Sequence, residues 1–461
     1  MALVYPLADL AHKRESLALP LGALALGSVI ALGIVSARTL DDWKDNRALF
    51  ERALAVTENN WIAHNNLGLV YLERRELDLA SNHFDAAARI RPNFVQARFN
   101  QGLALEAAGE FDPAIAAYRS ALEIQPGHPE SLMRLAVLAN ASGQSEQAQE
   151  FYEEAVEKNP ENPFTYLALA RVLLEQGELD RATNCATSAV SFDDTLAEGH
   201  LILAEIALKR GELEEAGARL RRAVLLEPDS AEAHVLLGRW YLLSRDLPKS
   251  RAAFERSLAL DPSSPRARYD LGTLLLNTGE YEAARGQFQA VLDLLPGDAQ
   301  ALTGLAVVEL ESQNGSLGTA IELLLKALER MPGFPTALAN LAVAYERSGE
   351  WAKAIQAYEQ CLAPGPDVEA ARALAWILAT GPDVALCDGE RAVQLATYAV
   401  QVRDPRALEV LAAACARAGD FESAVHWQKK VVESEPPGER RQEAERRLKL
   451  YQSKQPYTRP R

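Results

Sequence analysis

From Trp61 to Pro366 the apolar and small residues fall into columns that recur every 34 residues. Prolines show the period most plainly: Pro92, Pro126 and Pro160, then Asp194 in the same phase, then Pro228, Pro262, Pro296, Pro332 and Pro366. Only the interval from Pro296 to Pro332 is longer, at 36, and its two extra residues fall in Gln313-Asn314-Gly315-Ser316, a turn that tolerates insertion. A leucine column (Leu67, Leu135, Leu169, Leu203, Leu237, Leu271, Leu305, Leu341) marks the first half of each period. It is followed by Gly68, Gly102, Gly238 and Gly272, alternating with Ala136, Ala170, Ala204, Ala306 and Ala342. In the second half Ala80, Ala114, Ala148, Ala182, Ala216, Ala284, Ala320 and Ala354 recur. Four residues after that column come Phe84, Tyr118, Tyr152, Phe254, Phe288 and Tyr358 in most units.

These columns predict paired helices. Small residues at fixed phase let two helices approach, and the bulky residue four positions on shares their helix face and fills the gap beside them. Gly109, Gly143, Gly177, Gly211, Gly279 and Gly349 fall where a first helix must end in left-handed backbone. Proline then stops the second helix. The reading is helix, glycine turn, helix, proline turn, nine times over residues 61–366. Departures are local: Gln101 replaces the leucine, Asp194 the proline, and Arg75 and Arg245 the turn glycine. Residues 367–436 predict two further helical pairs, with Asp388 as an N-cap, and Glu439 to Gln452 a charged capping helix within the basic tail 437–461. Ahead of the first unit, residues 38–60 hold a half-unit whose helix, Asp41 to Val56, sets Trp43, Leu49 and Phe50 beneath it.

The columns Leu67-Gly68-Tyr71-Ala80-Phe84-Ala87-Pro92 resemble the tetratricopeptide repeat family, whose period is carried here residue by residue. The resemblance implies an all-α fold: a right-handed superhelix, an alpha solenoid, whose inner face is lined by the first helix of each unit and binds peptides or partner helices. In that family the inner-face columns lie two before, two after and five after the leucine. Here the last of these presents Leu174, Leu208, Leu242, Leu276 and Leu310 in five successive units, between Leu72, Glu106 and Asn140 on one side and Glu346 on the other. Beside it run Leu167, Leu201, Val235 and Tyr269, flanked by Arg171, Glu205 and Arg239. An exposed apolar stripe with a polar rim marks a contact surface, whereas a tight superhelix would bury it against itself. Asn66, Asn100 and Asn340 stand just before the leucine column and resemble the asparagine ladder that grips peptide backbone in arrays of glycosyltransferase type. Ala168, Ile202 and Leu236 occupy the middle of that column, which favours selection of apolar side chains there.

Composition narrows the function. The 461 residues carry 48 Lys and Arg against 64 Asp and Glu, a net charge of −16, which disfavours nucleic acid as a partner. Cys185, Cys361, Cys387 and Cys415 have no metal-finger spacing, and a disulfide among the last three would require an oxidising compartment. Phosphate-loop, dinucleotide, HExxH and GxSxG motifs are absent, so no catalytic residue or cofactor is assigned. His64, His200 and His234 share one repeat position, but units stacked about 10 Å apart cannot share a metal at bonds of about 2 Å. They read as packing residues, and no metal partner is expected. The paired acids Glu153-Glu154 and Glu214-Glu215 read as solvent-facing charge.

Ser16 to Ala37 is a run of 22 residues without a charge, following a flank at 1–15. As a helix it would span about 33 Å, enough for a hydrocarbon core of about 30 Å, so residues 16–37 predict a transmembrane helix or signal anchor. Pro20 and the Ala- and Gly-rich run keep its hydrophobicity modest, Val35-Ser36-Ala37 also fits a cleaved signal, and a soluble buried helix is the third reading. The stretch from Trp43 to Gly68 resembles the junction in bacterial polytopic membrane proteins of the mannosyltransferase-like class, where the last membrane helix leads into an extracytoplasmic array. Ala375 to Thr380 and Arg447 to Tyr451 resemble the terminal module of bacterial membrane-associated repeat proteins. Together these resemblances imply a single-pass protein of the cytoplasmic membrane with its array outside. The expected function is a non-catalytic, membrane-anchored scaffold for a protein or peptide partner. The alternative is the substrate-presenting module of a membrane O-mannosyltransferase-like system.

Overall fold

The computed structural model describes residues 45–459 apart from 402, 403 and 405, so the uncharged run at 16–37 and Trp43 lie outside the described residues. Among the described residues are twenty-four α-helices, a short 3-10 turn at Val384–Leu386 and no strand. None of these helices is long and apolar enough to cross a membrane. The fold is an all-α helical repeat in two compact units that divide between Glu212 and Leu213.

The first unit opens with a lone helix, α1 (Asn46–Val56). Hairpins follow: α2 (Trp61–Glu73) with α3 (Leu77–Ile90), α4 (Val95–Ala107) with α5 (Phe111–Ile124), α6 (Pro129–Ala141) with α7 (Ser145–Lys158), and α8 (Pro163–Glu175) with α9 (Leu179–Phe192). It closes on α10 (Ala197–Arg210). The second unit starts with α11 (Leu213–Leu226) and stacks α12 (Ala231–Leu243) with α13 (Leu247–Leu260), α14 (Pro265–Asn277) with α15 (Tyr281–Leu294), and α16 (Ala299–Glu311) with α17 (Leu317–Arg330). Then come α18 (Pro335–Ser348) with α19 (Trp351–Leu362), α20 (Val368–Thr380) with α21 (Gly389–Gln401), α22 (Ala407–Arg417) with α23 (Phe421–Ser434), and α24 (Glu439–Gln452). Within each unit every helix packs on its chain neighbours, and first helices such as α8 and α10, or α14 and α16, also touch each other.

The small and bulky columns meet as their chemistry requires. A Cβ on Gly102 would run into the Tyr118 ring and one on Gly238 would lie 2.5 Å from the Phe254 ring, so each glycine is the floor on which an aromatic of the partner helix lies. Phe84, Tyr118 and Phe254 are fully buried as a result. Most first helices, though not α16 or α20, end in a left-handed residue that lets two carbonyls be capped: Gly109 (φ 79°) donates to the Glu106 carbonyl and Glu110 to the Leu105 carbonyl. Where glycine is missing, Arg75 and Arg245 take the same backbone at φ 60° and 62°, which costs a non-glycine residue about 1 kcal/mol. Second helices stop two residues before each proline, as α5 does at Ile124 before Pro126.

The flanks follow the same logic. Phe50 and Leu54 of α1 pack on Leu67, Tyr71 and Phe84 of the first hairpin. Asp388 caps α21 by accepting from the Arg391 amide at 3.0 Å. The charged helix α24 buries only Ala444 and Tyr451, and its Ala444 carbonyl accepts from the buried Gln428 side chain of α23.

Candidate interaction surface

The leucines expected to line an open groove are largely covered. Leu174 and Leu167 are buried in the core of the first unit with Leu173, Ile202 and Ile206. Leu201 is buried as well, and Leu208 is half-buried. In the second unit Val235 lies in the core with Phe254 and Leu271, against which Leu242, Leu276 and Tyr269 are half-buried. Leu310 is buried with Leu341 and Ala344. The expected stripe is therefore mixed: Leu174, Leu310, Leu167, Leu201 and Val235 are buried, while Leu208, Leu242, Leu276 and Tyr269 keep part of their surface in solvent. Burial follows where first helices of one unit touch, as α8 does α10 and α16 does α18.

Polar members of the same face are tied to the next first helix. Arg239 grips Asp270 with two hydrogen bonds, Nε at 2.6 Å and Nη2 at 3.0 Å. Burial pushes the Asp270 carboxyl up, and Arg239 opposes that shift. Arg171 reaches Glu198 at 3.2 Å and Glu205 at 3.9 Å, and Arg134 reaches Glu106 at 3.3 Å, whose other oxygen accepts from the Tyr118 hydroxyl. Asn100 donates to Asn65 at 3.0 Å and Asn340 to the Thr336 carbonyl at 2.8 Å, while Asn66 is half-buried. Asn100 thus ties α4 to α2, whereas Asn340 makes an exposed bond within its own helix.

The histidines divide by surroundings. His200 and His234, and Arg268 one unit on, meet the carbonyl six residues earlier at 2.7–3.1 Å, clipping the inter-unit turn to its first helix. His64 instead meets His83 of the same hairpin, Nδ1 to Nδ1 at 3.0 Å, and burial pushes both imidazoles below their ordinary value. Among the described residues no three His, Cys, Asp or Glu side chains converge as metal ligands. All four cysteines are free thiols, and burial pushes Cys415 up to about 11.

Among the described residues, a repeat edge holds an extended segment at the C-terminal end of the second unit, and the sequence reading missed it. Lys454 takes left-handed backbone at φ 60°, with Gln455 donating to the Leu450 carbonyl, and this turns the chain back after α24. Residues 455–459 then run without secondary structure across the ends of α22, α20 and α18. Arg417, the last residue of α22, donates to the Tyr457 carbonyl at 3.3 Å and the Thr458 hydroxyl at 3.1 Å. The Arg459 amide donates to the carbonyl of Thr380, the last residue of α20, at 2.8 Å. Its guanidinium pairs with Glu346 near the end of α18 and lies over the rings of Trp376 and Trp351. Tyr457 faces Trp376 with ring centroids 6.2 Å apart, and Arg447 covers both rings. The available sequence signal was Glu346, which ends the run of leucines in its column, followed by two tryptophans near helix ends.

Models of the tetratricopeptide repeat match residues 35–93, 71–129, 105–163, 139–206, 198–265, 237–305, 312–377 and 405–427. The stretch from Trp43 to Gly68 falls inside the first of these. No curated protein matches the chain. Among solved structures, the APC/C hetero-tetramer Cut9-Hcn1 is similar over 77% of this chain and 76% of that one, at 16% identity and a TM-score of 0.54, a likeness of fold. TTC0263, a thermophilic repeat protein of Thermus thermophilus, is 28% identical over 40% of this chain and 99% of its own, with a TM-score of 0.37. YrrB, a repeat protein with an unusual peptide-binding site, is 24% identical over 41% of this chain and 95% of its own, with a TM-score of 0.31.

Proposed function

The chain belongs to the tetratricopeptide repeat family, and we propose that it works as a non-catalytic scaffold that recruits a protein partner through an extended segment laid across the ends of its first helices. The observation that supports this is the docking of residues 455–459, where main-chain bonds and side-chain contacts are both supplied by repeat residues. That division of labour is how helical repeats and sheet edges read extended peptides: backbone bonds hold the segment and side-chain surfaces choose it. The edge rests on a buried core of Leu338, Tyr358, Leu374, Leu378 and Leu411, a rigid support that limits the entropy lost on binding.

The test is co-purification from native cells with full-length wild type, a Glu346→Lys, Arg417→Glu double variant, and Leu242→Met as a core control. The partner retained by wild type and the core control is expected to be lost from the double variant. Retention by a folded double variant sinks the assignment, as does purified protein that turns over a small molecule unaided.

We further propose that residues 16–37 anchor the chain in a cytoplasmic membrane with the repeats on the extracytoplasmic side, a reading supported by the length of the uncharged run. Fractionation after deletion of 16–37 should move the protein from the membrane pellet to the supernatant. An unchanged distribution, or protection of the repeats from protease added outside intact spheroplasts, refutes it.

A further inference from the structure

We propose that the edge formed by Glu346, Trp351, Trp376 and Arg417 selects partner segments of the type tyrosine, any residue, arginine, and that residues 455–459 are its built-in occupant, holding the edge closed until such a segment displaces them. The inference rests on the scaffold reading above and specifies its partner and its regulation. Three observations carry it.

The bound segment is read in alternation. Tyr457 and Arg459 are half-buried and face the repeats, while Thr458 between them is exposed and gives the edge only its hydroxyl, which accepts from Arg417 at 3.1 Å. Each inward side chain meets a matching surface. The tyrosine ring meets Trp376 under the Arg447 guanidinium, and the arginine meets the Glu346 carboxylate with its plane over Trp376 and Trp351. Arginine suits such a site because its planar, weakly hydrated cation can pair with a carboxylate and lie on aromatic faces together.

The occupant is held lightly. Gln455, Pro456 and Thr458 are exposed, and the turn that brings the segment back is formed by a lysine in left-handed backbone, a conformation that glycine would take at lower cost. Two main-chain bonds and the Thr458 hydroxyl hold it beside the side chains of Tyr457 and Arg459, and all of these lie within three residues.

The connection from α24 is short, so the occupant competes at an effective concentration of about millimolar. A free segment of equal intrinsic affinity then binds the open edge far more tightly than the occupied one. The remote ion pair is the natural release point, since Glu346 and Arg459 are separated by 113 residues of sequence.

The test uses the full chain and a fluorescein-labelled probe peptide, Lys-Gln-Pro-Tyr-Thr-Arg-Pro-Arg, followed by fluorescence anisotropy. Arg459→Ala should open the edge and bind the probe at least tenfold more tightly than wild type. Adding Glu346→Gln to that variant should remove at least tenfold of the gain, and probes with alanine for the tyrosine or the first arginine should bind at least tenfold more weakly. Hydrogen exchange at residue 459 should be slow in wild type and reach the free-peptide rate in Arg459→Ala. Equal probe affinity for wild type and Arg459→Ala overturns the proposal, as does indifference to the alanine probes or free-peptide exchange already in wild type. If Arg459→Ala instead lowers the melting temperature with no gain in probe affinity, the segment is a structural clasp only and the proposal falls. The scaffold reading would survive that result if the native partner were still lost from the Glu346→Lys, Arg417→Glu variant.

Discussion

Two faces of the second unit carry residues at equivalent ends of first helices and use them in opposite ways. In the hairpins of α12 to α17 the column five residues after the leucine holds Leu242 and Leu276, half-buried against the core, and Leu310, buried in it. From α18 on, the same column holds Glu346 and then Thr380, and there the ends of the helices receive residues 455–459. A regular apolar column serves the contact every unit must make with its neighbour. Where that column breaks at Glu346 the side chain pairs with Arg459, whereas the break at Glu106 is taken up inside the array by Tyr118 and Arg134.

The largest effect that separates these roles is on stability. Leu174→Ala or Leu310→Ala should cost about 2–5 kcal/mol, the range for deleting a buried leucine side chain. Urea unfolding with hydrogen exchange across the affected hairpins measures it. A loss below about 0.5 kcal/mol, ordinary for an exposed site, would restore these leucines as a free groove. Overpacking comes next: Gly238→Ala places a methyl against the Phe254 ring and should lower stability by about 1–3 kcal/mol, visible as a drop in melting temperature. An unchanged melting temperature would show that the ring has room to move, as it must already do where Ala136 stands in the same column as Gly102 and Gly238.

A smaller effect of opposite sign is expected at the turns. Arg245→Gly should stabilise by up to about 1 kcal/mol, because the left-handed residue no longer carries a side chain, with greater backbone freedom in the unfolded chain offsetting part of the gain. Destabilisation in urea melts would mean that the Arg245 side chain makes a contact worth more than its strain. The smallest effect is on pH dependence. Burial depresses the folded pKa of His64 and His83 below the unfolded value, so their contribution to stability is present above about pH 6.5 and is lost as pH falls through their folded values. On going from pH 7.5 to 5.5, wild type should lose more melting temperature than His83→Gln. Equal losses would show that the pair does not titrate with folding.

Much of the fold was legible because its causes are local. Gly109 and Gly279 end helices by backbone conformation, Pro126 and Pro262 stop them by a missing donor, and Gly102 against Tyr118 closes a hairpin within seventeen residues. Even Arg75 and Arg245, the exceptions to the turn glycine, kept its backbone. The edge that holds residues 455–459 was not legible. The leucine columns named the correct helix face but not its covering, since exposure depends on how closely neighbouring first helices approach. Arg171 and Arg239, expected as the rim of a groove, pair with acids of the next first helix.

What the sequence determined by itself is the rhythm of helix, left-handed turn, helix and proline stop, because each beat is set by residues a few positions apart. What only the tertiary structure decided is which side of that rhythm meets solvent and where residues 455–459 come to rest. Those outcomes depend on the approach of helices separated by whole repeats, and on a carboxylate and a guanidinium 113 residues apart, a distance over which no periodic pattern carries information.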